Sequence, residues 1–128
     1  MNYLLDTHTF IWLDDDPSQL SSVVATIIAD KDNTIFLSHI SVLEMQIKIN
    51  RGKMSFPLPL EQKVDQHLRV NQTVLLNLRL KHIYRMAGLP LHHGDPFDRL
   101  LIAQGIQENM PILSRDAQFA KYPVRVIW

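Results

Sequence analysis

The stretch TIFLSHISVLEMQIKINRG, residues 34–52, decides the fold class. Its first five residues, Thr34–Ser38, form a short run rich in β-branched and aromatic side chains, with the length and composition of a strand. The chain then changes period without a break. Ile40, Leu43 and Ile47 recur at spacings of three and four, which predicts a helix running to about Arg51 and ended by Gly52. A strand that feeds a helix is one βα unit, and the same order recurs on both sides of it.

Upstream, NYLL (Asn2–Leu5) reads as a strand and Thr7 to about Leu13 as a short helix. Asp14–Asp16 with Pro17 predict a turn, and Ser18 is placed to cap a helix through about Ala29. Downstream, FPLPL (56–60) must be loop, because Pro57 and Pro59 lack backbone donors. Glu61 to about Asn71 reads as helix and TVLLN (73–77) as a strand. Leu80 to about Ala87 is a further helix closed by Gly88, and another opens at Asp95. PILS (111–114) and VRVIW (124–128) are strands around a short helical RDAQFAKY (115–122). Strands alternating with helices predict an α/β fold, a parallel sheet of about five strands with helices on both faces.

With 128 residues the chain suits one domain, 1–128, with a real core. Apolar residues at 46% and charged residues at 20% argue for a globular chain. Without cysteine there is neither a disulfide framework nor a thiolate metal site, which suits a cytoplasmic protein. The start, MNYLLDTHTFIWLDDD, has no basic leader, and Asp6 interrupts its apolar run, so neither a signal peptide nor a membrane span is expected. Thirteen basic and thirteen acidic residues leave no bulk charge to attract nucleic acid, so any such contact depends on local charge.

Five acids hold strategic positions, and each has a structural explanation. Asp6 follows the first strand and is a natural helix cap. Glu44 lies three residues after Ser41, the spacing of a capping box. Asp95 caps a helix that starts with Pro96, and Asp98 then sits in its first turn, where the helix dipole favours an anion. Ser114 is placed to cap a helix carrying Asp116 in its first turn. Their common placement suggests more. In a parallel sheet with helical crossovers, strand C-termini and helix N-termini gather along one edge, where ligands bind. The PILS strand and the first strand can be neighbours, which lets Asp6 and Asp116 face each other. A right-handed crossover from TVLLN does not by itself bring Asp95 and Asp98 to the same edge. Glu44 lies beside Ile40, Leu43 and Ile47 on the stripe expected to face the sheet. Its pairing with Lys48 explains a helix-surface carboxylate, but not a core-facing one.

Carboxylates gathered in this way repel by roughly 4 kcal/mol per pair at about 4 Å and an effective dielectric of 20. Either some hold protons or a cation neutralises them. An oxygen-only donor set suits Mg²⁺ or Mn²⁺, and such an ion can activate water and offset phosphodiester charge.

LLDTHTFIWL (4–13), SVLEMQIKINRGK (41–53), HHGDPFDRLLIAQ (92–104) and ILSRDAQFAKY (112–122) together resemble the PIN-domain family, in particular its VapC-like branch of bacterial ribonuclease toxins. The resemblance spans nearly the whole chain. It implies a three-layer α/β/α domain whose acidic site binds Mg²⁺ or Mn²⁺ and hydrolyses RNA. Asp6, Glu44, Asp98 and Asp116 match the family's metal-binding, catalytic acids. Asp98 heads the pattern D-x-x-x-I-A, and Asp95 belongs to the branch's H-x-D-P-F-D-R pattern, here His93 to Arg99. Asp98 is the stronger ligand candidate, and Asp95 is a possible additional acid. The resemblance further implies a cognate antitoxin whose tail covers the site, and a homodimer. Thr7 and Ser114 are candidates for supporting the acids or touching substrate. Lys48, in a basic cluster with Arg51 and Lys53, and Arg99 beside Asp98 are candidates for gripping phosphate.

Two other phosphate chemistries fit less well. A haloacid-dehalogenase-type phosphatase needs a second aspartate two residues after Asp6, where His8 stands, and a phospho-receiver domain needs paired acids there. A PIN-fold RNA-processing nuclease without a toxin role, or a non-catalytic binding module, are the alternatives within the fold. Among the six histidines none forms a metal-binding helical pair; His92 and His93 suit a loop or capping role, and His8 lies near Asp6.

Overall fold

The computed structural model describes all residues from Met1 to Trp128. Five strands form one parallel sheet: β1 (Asn2–Leu5), β2 (Thr34–Ser38), β3 (Val74–Leu76), β4 (Ile112–Leu113) and β5 (Val126–Ile127), in the order β3-β2-β1-β4-β5. Six helices connect them: α1 (Thr7–Asp15), α2 (Ser22–Ala29), α3 (His39–Asn50), α4 (Leu60–Asn71), α5 (Leu80–Arg85) and α6 (Pro96–Gln107). The expected α/β architecture is present.

The period of two along the strands divides the core between the two faces of the sheet. Tyr3 and Leu5 of β1, Ile35 and Leu37 of β2 and Leu113 of β4 pack with Phe10, Val24, Met45, Leu60 and Val64. Leu4 and Ile112, on the opposite face, pack with Ile40, Leu101, Ile102, Phe119 and Tyr122. Helices therefore cover both faces, giving three layers. The middle of α6 is enclosed: Leu101, Ile102, Ala103, Gln104 and Gly105 are all buried. A Cβ on Gly105 would stand 3.0 Å from Ile112 and 3.1 Å from Val124, so glycine permits the close seating of α6 on β4.

Several local expectations are corrected. Helix α2 is capped by Ser21, whose hydroxyl accepts from Val24 N at 3.1 Å, and not by Ser18. Pro17–Gln19 instead form a 3-10 turn in which Ser18 bonds to Asp16. Helix α1 continues through Asp14 and Asp15, where a turn was expected; both carboxylates pair with buried Lys63 of α4. Because β2 runs directly into α3, Ser38 is the cap and its hydroxyl accepts from Ile40 N at 3.0 Å. Ser41 therefore lies inside the helix, and no Ser41–Glu44 capping box forms. Leu43 is about half exposed, at 49%, and Met45 takes the expected place against the core. The helix predicted for residues 115–122 is reduced to a 3-10 turn, Phe119–Lys121, and the one predicted through Ala87 ends at Arg85 with a 3-10 turn, Met86–Gly88. Gly52 ends α3 at φ +69, a left-handed conformation that glycine adopts without strain.

Candidate active site

The sheet order fixes where a site can form. From β1 the chain winds outward through β2 and β3, whereas β4 and β5 add on the other side of β1. The connections diverge beyond the ends of β1 and β4 and leave a crevice there. Asp6 follows β1, Ser114 follows β4, and Asp6 N donates to Leu113 O at 3.2 Å.

Buried Asp6 does cap α1, its Oδ1 accepting from Thr7 N at 2.7 Å. Its Oδ2 accepts from the Ser114 hydroxyl at 2.7 Å, a bond between strands that are distant in sequence. Burial raises the Asp6 carboxyl above its usual range, against the opposing effect of the Ser114 and Thr7 bonds. Thr7 Oγ1 donates to Glu44 Oε1 at 2.8 Å and lies 2.9 Å from Ser41 Oγ. Glu44 is buried, as its place on the helix wheel required, and its Oε2 meets Lys48 Nζ at 2.7 Å. That bond, first of all, holds the Lys48 ammonium above its usual range, with Asp95 and Asp98 adding to it.

The N-terminus of α6 lies at the same crevice. Asp95 Oδ1 accepts from Phe97 N at 2.9 Å and Asp98 N at 3.1 Å, so Asp95 is a helix cap. Asp98 turns away from the backbone, with Oδ2 3.3 Å from His93 Nε2. His93 Nδ1 is 2.7 Å from the Tyr122 hydroxyl. Burial first, then the charges of Asp95, Asp6, Glu44 and Asp116, push the Asp98 carboxyl up to about 8. These carboxylates thus share one electrostatic environment, although they come from separate parts of the chain. Asp116 is exposed; its backbone N donates to Ser114 Oγ at 3.0 Å and its Oδ1 accepts from Gln118 N at 2.9 Å. With Asp6, His8, Trp12 and Arg115 it lines a cleft of about 240 Å³.

The sequence pattern of the PIN domain matches residues 3–124. The chain belongs to the PIN-domain family. Solved structures agree in fold. VapBC2 from Rickettsia felis, bound to a DNA fragment from its promoter, superposes with a TM-score of 0.77 at 19% identity, covering 99% of this chain and 98% of that one. DNA-bound VapBC from Salmonella typhimurium gives 0.70 at 14% identity, with 99% and 97% covered. VapBC-1 from nontypeable Haemophilus influenzae gives 0.66 at 16% identity, also with 99% and 97% covered. No curated protein matches the sequence.

In this PIN domain no three acidic or histidine side chains stand close enough together to form a ready-made metal cage. Their oxygens are held by Ser114, Thr7, Lys48 and His93 instead. The donor chemistry nonetheless fits a hard divalent cation: carboxylate oxygens in excess, mutually repelling, and partly shielded from water.

The two basic residues nominated from sequence are engaged internally. Lys48 pairs with Glu44, and Arg99 Nη1 donates to Pro90 O at 2.8 Å and to the Tyr122 hydroxyl at 3.1 Å. Five residues of the site were not anticipated in their present roles. Ser41 sits beside Thr7, and His93 and Tyr122 buttress Asp98, where His93 was expected in a loop or capping role. Trp12 and Arg115 wall the cleft. His93 carried a signal, standing five residues before Asp98 in the H-x-D-P-F-D-R pattern. Tyr122 carried none, since only the return of the chain along the sheet brings it there.

Proposed function

We propose that the chain is a Mg²⁺- or Mn²⁺-dependent endoribonuclease that hydrolyses RNA phosphodiester bonds, and that it is the toxin of a toxin–antitoxin pair. On this reading residues 1–128 are a single nuclease domain. One observation carries the metal-dependent chemistry: acids from separate elements share the β1–β4 crevice, where burial first, and then repulsion from Asp95, Asp6, Glu44 and Asp116, raises the Asp98 carboxyl to about 8. A divalent cation is the group that offsets such repulsion, and Asp6, Glu44, Asp98 and Asp116 are the residues that would hold it. When bound, it supplies an activated water and neutralises charge on the phosphodiester. The chain's own residues set the positions: Ser114 orients Asp6, Thr7 orients Glu44, and His93 orients Asp98. Asp95 keeps the helix that carries Asp98 properly started.

The VapC-like motifs, together with the fold shared with VapBC structures, support the toxin reading. Its partners would be an antitoxin covering the crevice and a second copy of the chain, in the cytoplasm. No helix of the chain is long and apolar enough to cross a membrane.

The test is cleavage of mixed cellular RNA by the purified protein. Asp6→Asn still offers a cap acceptor but lacks the charge, so it should lower cleavage by two orders of magnitude or more (about 3 kcal/mol) while circular dichroism stays unchanged. Cleavage that survives Asp6→Asn, or excess EDTA, refutes the metal-dependent mechanism.

A further inference from the structure

We infer that Arg115 grips the RNA backbone, binding a phosphate beside the one that is cut, and that Trp12 is its positioning residue. This rests on the nuclease reading above. A polyanion entering an acidic crevice is favoured by a side-chain cation that is free to meet the phosphates beside the one at the acids. Lys48 is paired with Glu44, and Arg99 is committed to Pro90 O and Tyr122. Arg115 takes part in none of the molecule's ion pairs. Its guanidinium lies over the Trp12 ring, 4.5 Å from the centroid. Trp12 is itself held by Trp128, at 5.8 Å and 61°, and lies 5.8 Å from the His8 ring.

A guanidinium held over an indole by cation–π attraction is positioned without a hydrogen-bond acceptor, and the guanidinium N–H groups of Arg115 donate to no other group of the chain. It is thereby pre-organised for bidentate contact with phosphate, whereas an ammonium would be a point charge without that geometry. Arg115 directly precedes Asp116 and shares the cleft with Asp6, so a phosphate held there adjoins the acids. The aromatic surface of His8 and Trp12 along the same wall suits single-stranded RNA, where a basic contact and ring surfaces together track the strand.

The experiment measures binding of a short, labelled 2′-O-methyl phosphorothioate RNA strand of mixed sequence to the intact chain in Mg²⁺, over a range of salt. Arg115→Ala should weaken binding about tenfold and reduce the slope of log affinity against log salt by about 0.7, the signature of one lost phosphate contact. Arg115→Lys should keep the slope and lose part of the affinity. Trp12→Ala should weaken binding with Arg115 still present, and Trp12→Phe should restore most of it. Arg125→Ala, which removes one exposed charge at the opposite edge of the sheet, should leave affinity unchanged. If Arg115→Ala binds with wild-type affinity and slope while the wild type binds and cuts RNA, this inference falls and the nuclease reading stands. If the wild type neither binds nor cuts any RNA, both fall. If polyglutamate binds as tightly as the RNA with the same dependence on Arg115, the cleft takes an acidic protein segment, and the RNA assignment is overturned.

Discussion

Replacing Asp98 with asparagine should stabilise the metal-free protein while removing its activity. Asp98 is one of several acids around a crevice, with a side chain only 16% exposed. Burial, reinforced by Asp95, Asp6, Glu44 and Asp116, carries its carboxyl from 3.8 to about 8. For an acid raised in this way, the unfolded chain releases the proton at lower pH than the folded chain. Stability is therefore highest below the unfolded value and falls as pH rises toward the folded one. At about 1.4 kcal/mol per pH unit, the upper bound is roughly 5 kcal/mol lost by about pH 8 and roughly half of that by about pH 6. Solvent screening at this partly open crevice, with Asp116 exposed, reduces the realised figure to about 2 kcal/mol at about pH 8. Against it stands the favourable position of a carboxylate in the first turn of α6, which asparagine gives up, worth about 0.3–1 kcal/mol. The cost of burial and repulsion together is the larger effect, and asparagine can still accept from His93.

The assay is thermal unfolding in EDTA. At roughly 3–5 °C per kcal/mol for a chain of this size, the net gain should make Asp98→Asn melt about 3–8 °C above wild type near pH 8. The gap should shrink by about half near pH 6, because the linkage diminishes with the pH interval. Saturating Mg²⁺ should raise the wild type and leave the variant unmoved, closing the gap from below. Equal gaps at the two pH values, or a variant that melts below wild type near pH 8 in EDTA, would refute the reasoning.

Two further expectations concern the fold alone. Ser21→Ala should cost about 1 kcal/mol by removing the acceptor for Val24 N, whereas Ser18→Ala should change stability by less than about 0.5 kcal/mol; urea unfolding of both distinguishes the true cap from the sequence-expected one. His67 is buried against the Phe10 ring with Nε2 unpartnered, and burial lowers its basicity, Asp14 opposing and Lys63 assisting. Below its unfolded value of 6.5 the unfolded state takes up the proton first, so this residue makes stability fall with decreasing pH until the folded value is passed. In the Asp98→Asn background, melting temperatures between about pH 7 and 5 should decline less steeply once His67→Asn is added, and parallel curves would show that His67 titrates normally.

The strand–helix alternation was legible because each element carries its own period, and five short apolar runs became five strands. Boundaries failed where one local signal competed with another. Ser18 and Ser21 are both good caps by residue type, and the chain chose Ser21 because Pro17 first draws the backbone into a 3-10 turn. Ser41–Glu44 has capping-box spacing, yet β2 enters α3 without a loop and the helix has already begun at His39. The acids were legible one by one as caps or ligand candidates, and the nearness of Asp6 to Asp116 followed from pairing β4 with β1. The supporting contacts were not legible. Thr7 to Glu44, Ser114 to Asp6 and Tyr122 to His93 each join residues at least 29 positions apart, and no local pattern encodes them. Nor could composition reveal that Lys48 and Arg99 are already occupied while Arg115 is not.

On the proposed reading, capping and ligation are divided between neighbouring acids for a physical reason. A cap must direct its oxygen at its own helix's first N–H groups, and Asp95 does so with two bonds from one oxygen. A ligand must direct its oxygens away from the backbone into a region of like charge, where burial and repulsion outweigh the helix dipole and the His93 contact. Asp98 is kept there by the helix behind it. Its carboxylate stands at the head of five consecutive buried residues, Leu101 to Gly105, and Gly105 lets that run seat closely against Ile112. The Asp95 cap fixes where the helix begins, and the buried run fixes where it sits, so Asp98 cannot relax by retreating toward solvent without disturbing both. Asp6 combines the two duties because its oxygens divide between Thr7 N and Ser114, leaving each with a further lone pair toward the crevice. The unfavourable electrostatics of the crevice are therefore sustained by apolar packing on both faces of the sheet, so the domain stays folded despite them.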